Sequence, residues 1–265
     1  MTEPELPPRP ETTRATAARV YDYALGGSAN FAVDRRALQH LQGALPGLLR
    51  TVAANRGFLA RVVRYALSER IEQFLDLGSG VPTVGNVHEI AEQRRAPVRV
   101  VYVDYEVIAA LQTRRLLQDN PRADVVEADI RRPGRVLRAS ATGRLLDFRR
   151  PVALLVIAAL HYVPEDVTQL LRRYVAELAP GSLVALSHLT ADDNAQVTEL
   201  CQAWQDTVAE PLLPRSRTEL VGLLEALPVQ LVEPGLVPVG QWRPDPTAPV
   251  ETARTEHWAA VARVC

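Results

Sequence analysis

Phe74-Leu75-Asp76-Leu77-Gly78-Ser79-Gly80-Val81-Pro82-Thr83 is the stretch whose reading decides the fold. The apolar run from Ile71 to Leu77 has strand character and enters a Gly-x-Gly turn, and Asn86 to Arg94 then reads as a helix. A strand that opens through glycines into a helix lets a ligand approach the backbone closely. The helix N-terminus adds free N–H groups and partial positive charge. Two cofactor classes use this arrangement. A dinucleotide site needs Gly-x-Gly-x-x-Gly, with its third glycine at position 83, where Thr83 stands after Pro82. Asp76 is awkward beside a pyrophosphate but suits the ammonium of an amino-acid moiety. The comparison favours S-adenosylmethionine, with Asp76, Gly78, Ser79 and Gly80 as the loop that receives it.

Downstream, strands and helices alternate. Val98 to Val103 is β-branched and ends on Asp104, Val107 to Leu117 is helical, and Val125-Val126 is a brief third strand. Val152 to Ile157 is a continuous apolar run, as expected of a strand covered on both faces. Asp166 to Leu178 reads as an amphipathic helix and Leu183 to Ser187 as the next strand. Asp192 to Val208 and Arg217 to Leu227 are helical, and Val229 to Glu233 and His257 to Val264 are the last strands. A Pro-rich connection, Pro234 to Pro249, separates those two. The alternation predicts a Rossmann-like α/β fold with a mostly parallel sheet and right-handed crossovers. Asp104, at the second strand end, can accept both ribose hydroxyls. Asp129, after the third strand, can accept from the adenine amino group, with the neighbouring N–H of Ile130 addressing a ring nitrogen.

Before the first strand the pattern is helical. Residues 1–12 read as a flexible tail, 13–70 as a helical cap and 71–265 as the cofactor-binding core, the two forming one compact domain. Thr12 or Thr13 is the expected cap of a helix through Ala17, Val20, Tyr21 and Ala24, stopped by Gly26-Gly27. Helices over Val33 to Gln42 and from Pro46 to Leu67 follow. Tyr21, Tyr23, Asn30, Asp34 and Arg56 cluster around the Gly-Gly break. They read either as a lid, with Arg56 or Asn30 reaching the methionine carboxylate or the substrate, or as ordinary caps and ion pairs. His161 follows the apolar fourth strand as a candidate general base or a ring packed near the cofactor. His188 ends the fifth strand; His40, His88 and His257 read as structural.

Composition narrows the classes. The formal charge is −1, against a broad nucleic-acid footprint. All 30 basic residues are Arg, which removes lysine Schiff-base chemistry. Two cysteines, Cys201 and Cys265, suit neither a disulfide framework nor a zinc cluster, and no metal-ligand spacing is present. No signal peptide or membrane-length apolar run is seen, so a cytoplasmic location is expected. The expected partners are a small-molecule substrate and, at most, a second copy of the chain, with no nucleic acid and no membrane.

Residues 74–89 resemble the first motif of an actinobacterial family of S-adenosylmethionine-dependent methyltransferases. Ala18-Arg19-Val20-Tyr21-Asp22-Tyr23-Ala24-Leu25-Gly26-Gly27 and Asn30-Phe31-Ala32-Val33-Asp34-Arg35 match the same signature. So do Ala54 to Leu59, Leu160-His161-Tyr162-Val163-Pro164, Glu233 to Pro238 and Trp242-Arg243-Pro244. The resemblance implies a class I methyltransferase fold with seven strands, the last antiparallel, and S-adenosylmethionine as methyl donor; substrates in the family are generally unassigned. Tyr105 and Glu106 stand where similar proteins often carry Asn and Asp, and Tyr105 can still lie against the adenine face. The expected activity is O- or N-methylation of a small molecule. The alternatives are a non-catalytic S-adenosylmethionine-binding regulator and a NAD-dependent oxidoreductase.

Overall fold

Strands that are apolar on both faces must be covered on both faces, so helices are forced onto either side of the sheet. The computed structural model describes residues 12–83, 85–192, 194–244 and 256–265. Helices α1 (Ala17–Ala24), α2 (Ala32–Ala44) and α3 (Leu48–Ser68) precede strand β1 (Gln73–Leu77). Then come α4 (Val87–Gln93), β2 (Arg99–Asp104), α5 (Val107–Leu116), β3 (Ala123–Glu127), α6 (Pro133–Leu137), α7 (Ser140–Leu145) and β4 (Ala153–Ile157). The chain continues through α8 (Val167–Val175), β5 (Leu183–Leu189), α9 (Ala195–Thr207), α10 (Arg217–Glu225), β6 (Val229–Leu231), β7 (Val237–Pro238) and β8 (His257–Val264).

The sheet order is β3-β2-β1-β4-β5-β8-β6, and the two-residue β7 also pairs with β8. The first five strands in that order are parallel, whereas β8 runs antiparallel to β5 and β6. This is the Rossmann-like sheet expected from the sequence, with an antiparallel last strand, but it has eight strands where seven were expected, because the two-residue β7 adds to β8. The order reverses between β1 and β4, and a crevice opens at the carboxyl ends of the strands where such a reversal occurs.

Alternate strand residues feed two cores. Leu75, Leu77, Val101, Val103, Leu154 and Val156 pack on one side with Leu170, Leu171, Leu223 and Leu224. Phe74, Val100 and Leu155 pack on the other with Phe58, Val62 and Val63 of α3 and Ile90 of α4. A third cluster joins Val20, Leu38 and Leu41 to Leu200 and Trp204 of α9, and to Leu189 at the end of β5. The cap is therefore α1, α2 and the first turns of α3, whose Leu48 and Val52 join this cluster, while the rest of α3 covers the sheet.

Several expected boundaries move, each for a tertiary reason. The first helix starts at Ala17, not after Thr12 or Thr13, because Ala15 pairs with Val208 in a short bridge. Neither threonine caps it; the Ala17 N–H donates to Glu210 Oε2 at 2.9 Å instead. The helices α6 and α7 span five and six residues, too short for apolar periodicity to register, and were not expected. β7 lies in the Pro-rich connection, where Trp242 is fully buried edge-on to Phe58 (5.5 Å) and Tyr65 (5.7 Å). The expected tail falls outside the described residues over 1–11, as does the connection over 245–249. Among the described residues no helix is long and apolar enough to cross a membrane.

Candidate functional site

The crevice holds a cavity of about 500 Å³, within the usual range for a small-ligand site. Its floor is the glycine loop and the ends of β2, β3 and β4. The loop is fastened downward: Gly78 N–H and Ser79 N–H both donate to the Val103 carbonyl, at 2.8 and 3.0 Å. Gly78 has φ +70° and a Cβ there would come within 2.7 Å of Ala159 Cβ, so the turn requires glycine. Gly80 has φ +67° with no atom within 4 Å of an added Cβ, leaving the loop open towards the cavity it lines.

Asp104 ends β2 directly beside this loop. Its Oδ2 accepts from Gly80 N–H at 2.8 Å and its Oδ1 from Glu106 N–H at 2.9 Å. A carboxylate has about four acceptor positions, so lone pairs remain for a diol. Burial lifts its pKa to about 6, against those two N–H bonds. Asp76 is 6% exposed behind the glycines, and burial pushes it to about 7, opposed by the charge of Arg56 and assisted by Asp104. Ser79 Oγ is buried without a hydrogen-bond partner. Open glycine, spare carboxylate lone pairs and an orphan hydroxyl fit a ligand carrying a sugar diol and an amino-acid end.

At the other strand ends, Asp129 and Ile130 line the cavity with Arg131. Arg131 holds Asp129 through Nε–Oδ2 at 2.8 Å and Nη2–Oδ2 at 2.6 Å. Burial raises the Asp129 pKa, but the Arg131 hydrogen bonds outweigh it and the net shift is downward. Ala158 follows β4 with φ +53°, a left-handed conformation that costs a non-glycine residue about 1–3 kcal/mol. Its N–H donates to Ser187 O and Oγ at 3.1 and 3.0 Å. Ser187 Oγ donates to Asn55 Oδ1, and Asn55 Nδ2 donates to Tyr21 OH at 2.9 Å. A buried relay therefore ties the strained floor to the helix above it.

That helix is α1, whose Ala17, Ala18 and Tyr21 close the cavity on one side. Three segments around it are pinned to it by side chains. Thr83 Oγ1 donates to Asp22 Oδ1 at 2.8 Å, joining α1 to the glycine loop. Arg19, fully buried, pairs with Asp34 at 3.0 Å and reaches Glu106 at 3.1 Å, joining α1 to α2 and to the end of β2. Glu210 receives Ala17 N–H and, at 2.9 Å, the hydroxyl of Tyr105.

Of the residues singled out in the sequence, Gly78, Gly80, Asp104, Tyr105, Asp129, Ile130 and Tyr21 line this one cavity. Asp76 and Ser79 lie behind its glycine wall. Arg56 Nη2 donates to Asn86 Oδ1 at 3.0 Å and flanks Asp76 without lining the cavity. Asn30 and Tyr23 do not line it: Asn30 Nδ2 donates to Asp22 Oδ2 (2.9 Å) and Gly27 O (2.8 Å), and Tyr23 packs on the apolar cluster of the cap. His161 is also elsewhere. It lines a smaller space of about 50 Å³ behind Tyr21 and Tyr162, its Nδ1 accepting from Leu189 N–H at 3.3 Å. Burial, then the neighbouring His188 and His257, holds its pKa well below the usual value. This placement suits a packed neutral ring, the second of the two readings offered by the sequence, although the ring does not line the donor cavity.

Glu210 and Arg19 are not among the site residues the sequence suggests, and Glu106 stands out there only as a departure from similar proteins. Glu106 carries a local signal, since it follows a strand and accepts from Ala109 N–H as the cap of α5. Glu210 carries none, because its partner Ala17 is 193 residues away.

Comparison with known proteins gives a consistent result. The sequence matches the family described as S-adenosyl methyltransferase over residues 4–265. A candidate methyltransferase from Thermobifida fusca is 34% identical, with a TM-score of 0.88 over 95% of each chain. A DUF574 family protein from Streptomyces avermitilis is 35% identical, with a TM-score of 0.89 over 97% of this chain and 100% of that one. The Burkholderia thailandensis 1,6-didemethyltoxoflavin-N1-methyltransferase, solved with 1,6-didemethyltoxoflavin and S-adenosylhomocysteine, is 19% identical. Its TM-score is 0.52, over 96% of this chain and 93% of that one, a likeness of fold. No curated protein matches the chain.

Proposed function

We propose, since this chain belongs to the S-adenosyl methyltransferase family and is an S-adenosylmethionine-dependent methyltransferase, that its acceptor is a small molecule methylated on oxygen or nitrogen. The observation that carries this reading is the cavity itself: the lid helix α1 is fastened to three loops at once, by Asp22, Arg19 and the Ala17 N–H. The partly covered space of about 500 Å³ suits a donor and a compact acceptor, and the charge of −1 offers a nucleic acid little attraction.

When bound, S-adenosylmethionine supplies an electrophilic methyl group on a sulfonium. The residues assigned to hold it are Asp104 at the ribose hydroxyls, Asp76 towards the amino-acid end, and Asp129 with Ile130 at the adenine edge. Gly78 and Gly80 would admit it close to the backbone, and Tyr105 would lie against its adenine face. The chain's own contribution to rate is then alignment and exclusion of water, effects that account for several kcal/mol in well-oriented transfers. His161 has no assigned part in proton transfer.

The test is the fate of the methyl group. With methyl-tritiated S-adenosylmethionine and an extract freed of its own methyltransferases, label should enter the small-molecule fraction in proportion to added protein. Label confined to RNA, DNA or protein would overturn the reading.

A further inference from the structure

The charges on the cavity wall do not balance, and the imbalance bears on the acceptor. Asp104, Glu106, Asp129 and Glu210 line the cavity, and Arg131 is the one basic side chain among the described lining residues. Arg131 is already committed to Asp129 and, at 3.1 Å, to Glu165. Glu106 is matched by Arg19, and Asp104 is assigned to the donor ribose. Glu210 remains, in no ion pair among the described residues.

Glu210 is also held in place. Its Oε1 accepts the Tyr105 hydroxyl and its Oε2 the Ala17 N–H, both at 2.9 Å, which leaves lone pairs on each oxygen. Its carbonyl accepts from Trp204 Nε1 at 2.8 Å, and the Trp204 ring stacks on Tyr162 at 5.5 Å with 20° between planes. Tyr21 and Tyr162 add their rings to the same lining. Thr16 also lines the cavity, one residue before Ala17, and its Oγ1 is buried without a hydrogen-bond partner. An oriented carboxylate with the rings of Tyr21 and Tyr162 in the same lining attracts a cation by charge and by the aromatic surface beside it. An anionic acceptor would be desolvated beside the uncompensated Glu210 carboxylate, which is strongly unfavourable.

We propose that Glu210, with Tyr21 and Tyr162, forms an acceptor subsite selective for a small molecule that carries a basic nitrogen. This rests on the small-molecule reading above and adds the charge of the acceptor to it.

The test uses the full chain saturated with S-adenosylhomocysteine and titrated by calorimetry at neutral pH. Three probes share one phenethyl body: phenethylamine, 2-phenylethanol and 3-phenylpropanoate. The expected order is amine, alcohol, carboxylate, with about tenfold between first and last. Glu210→Gln should weaken the amine about fivefold or more while leaving the alcohol unchanged. Tyr162→Leu should narrow the gap between amine and alcohol by removing a ring face, an independent check should the first variant fold poorly. Carboxylate binding equal to or tighter than the amine, an unchanged amine preference in both variants, or no amine binding at millimolar concentration would overturn the subsite. Failure of S-adenosylhomocysteine itself to bind would instead overturn the reading of the cavity as the donor site.

Discussion

Replacing Gly78 with alanine is expected to weaken S-adenosylhomocysteine binding by at least about 100-fold, roughly 3 kcal/mol. Two effects combine at this position. An L-residue at φ +70° is strained by about 1–2 kcal/mol. The added Cβ would also sit 2.7 Å from Ala159 Cβ, a rigid neighbour next to the left-handed Ala158. The loop can relieve the overlap only by pulling its N–H groups off the Val103 carbonyl and lifting into the cavity. Gly80→Ala separates strain from overlap, since its Cβ meets no protein atom within 4 Å. That variant carries the strain without the overlap, so it should melt only a few degrees below the parent yet still bind the donor more weakly, because the new methyl occupies the open side of the loop. Calorimetry and a melting curve on both variants check this; parent-like affinity in Gly78→Ala contradicts the role given to the loop.

Arg19→Met is expected to destabilise the protein by about 3–5 kcal/mol, the usual consequence of leaving one partner of a buried ion pair alone. Arg19 and Asp34 are both fully buried at 3.0 Å. Methionine fills much of the volume but leaves Asp34 with only the N–H groups of Thr16 and Phe31. For a domain of this size about 2–4 °C is lost per kcal/mol, so the melting temperature should fall by roughly 10 °C. The double variant Arg19→Met/Asp34→Leu should regain part of the loss, since no charge is then stranded in the cap. Glu106 would still lose its partner, so donor affinity should stay reduced even there. A single variant that melts within about 2 °C of the parent would mean the pair does not anchor the cap.

What the sequence reveals depends on whether the cause is local. Apolar runs such as 152–157 and the β-branched run 98–103 identify strands buried on both faces, because residue type alone reflects that burial. Gly78, Gly80 and Asp104 are legible for a similar reason: a tight turn and the carboxylate after a strand are each properties of a few consecutive residues. The helices α6 and α7 are not legible, being shorter than two turns. Nor is the start of α1, whose first N–H finds its acceptor in Glu210 across most of the chain. His161 shows the opposite error. Its place after β4 suggests the open end of the sheet, but the 3₁₀ turn Leu160–Tyr162 carries the ring behind Tyr162, among His188 and His257. Tyr23 and Asn30 mislead for a related reason: a polar cluster around two glycines looks like a ligand wall, and here its hydrogen bonds close on Asp22 and Gly27.

Two buried carboxyl groups, Asp76 behind the glycine wall of the cavity and Asp104 lining it, are assigned to the donor in their ionised form. Without ligand, burial holds them at about 7 and about 6. Below those values the groups are mainly protonated, so binding must release protons and is weakened; above them that penalty disappears. Calorimetric titration of the parent protein with S-adenosylhomocysteine at pH 6 and pH 8 measures this directly. The account predicts binding about tenfold tighter at pH 8, with heats at pH 6 that vary with the ionisation enthalpy of the buffer. Equal affinity at both values, with heats independent of buffer, would contradict it.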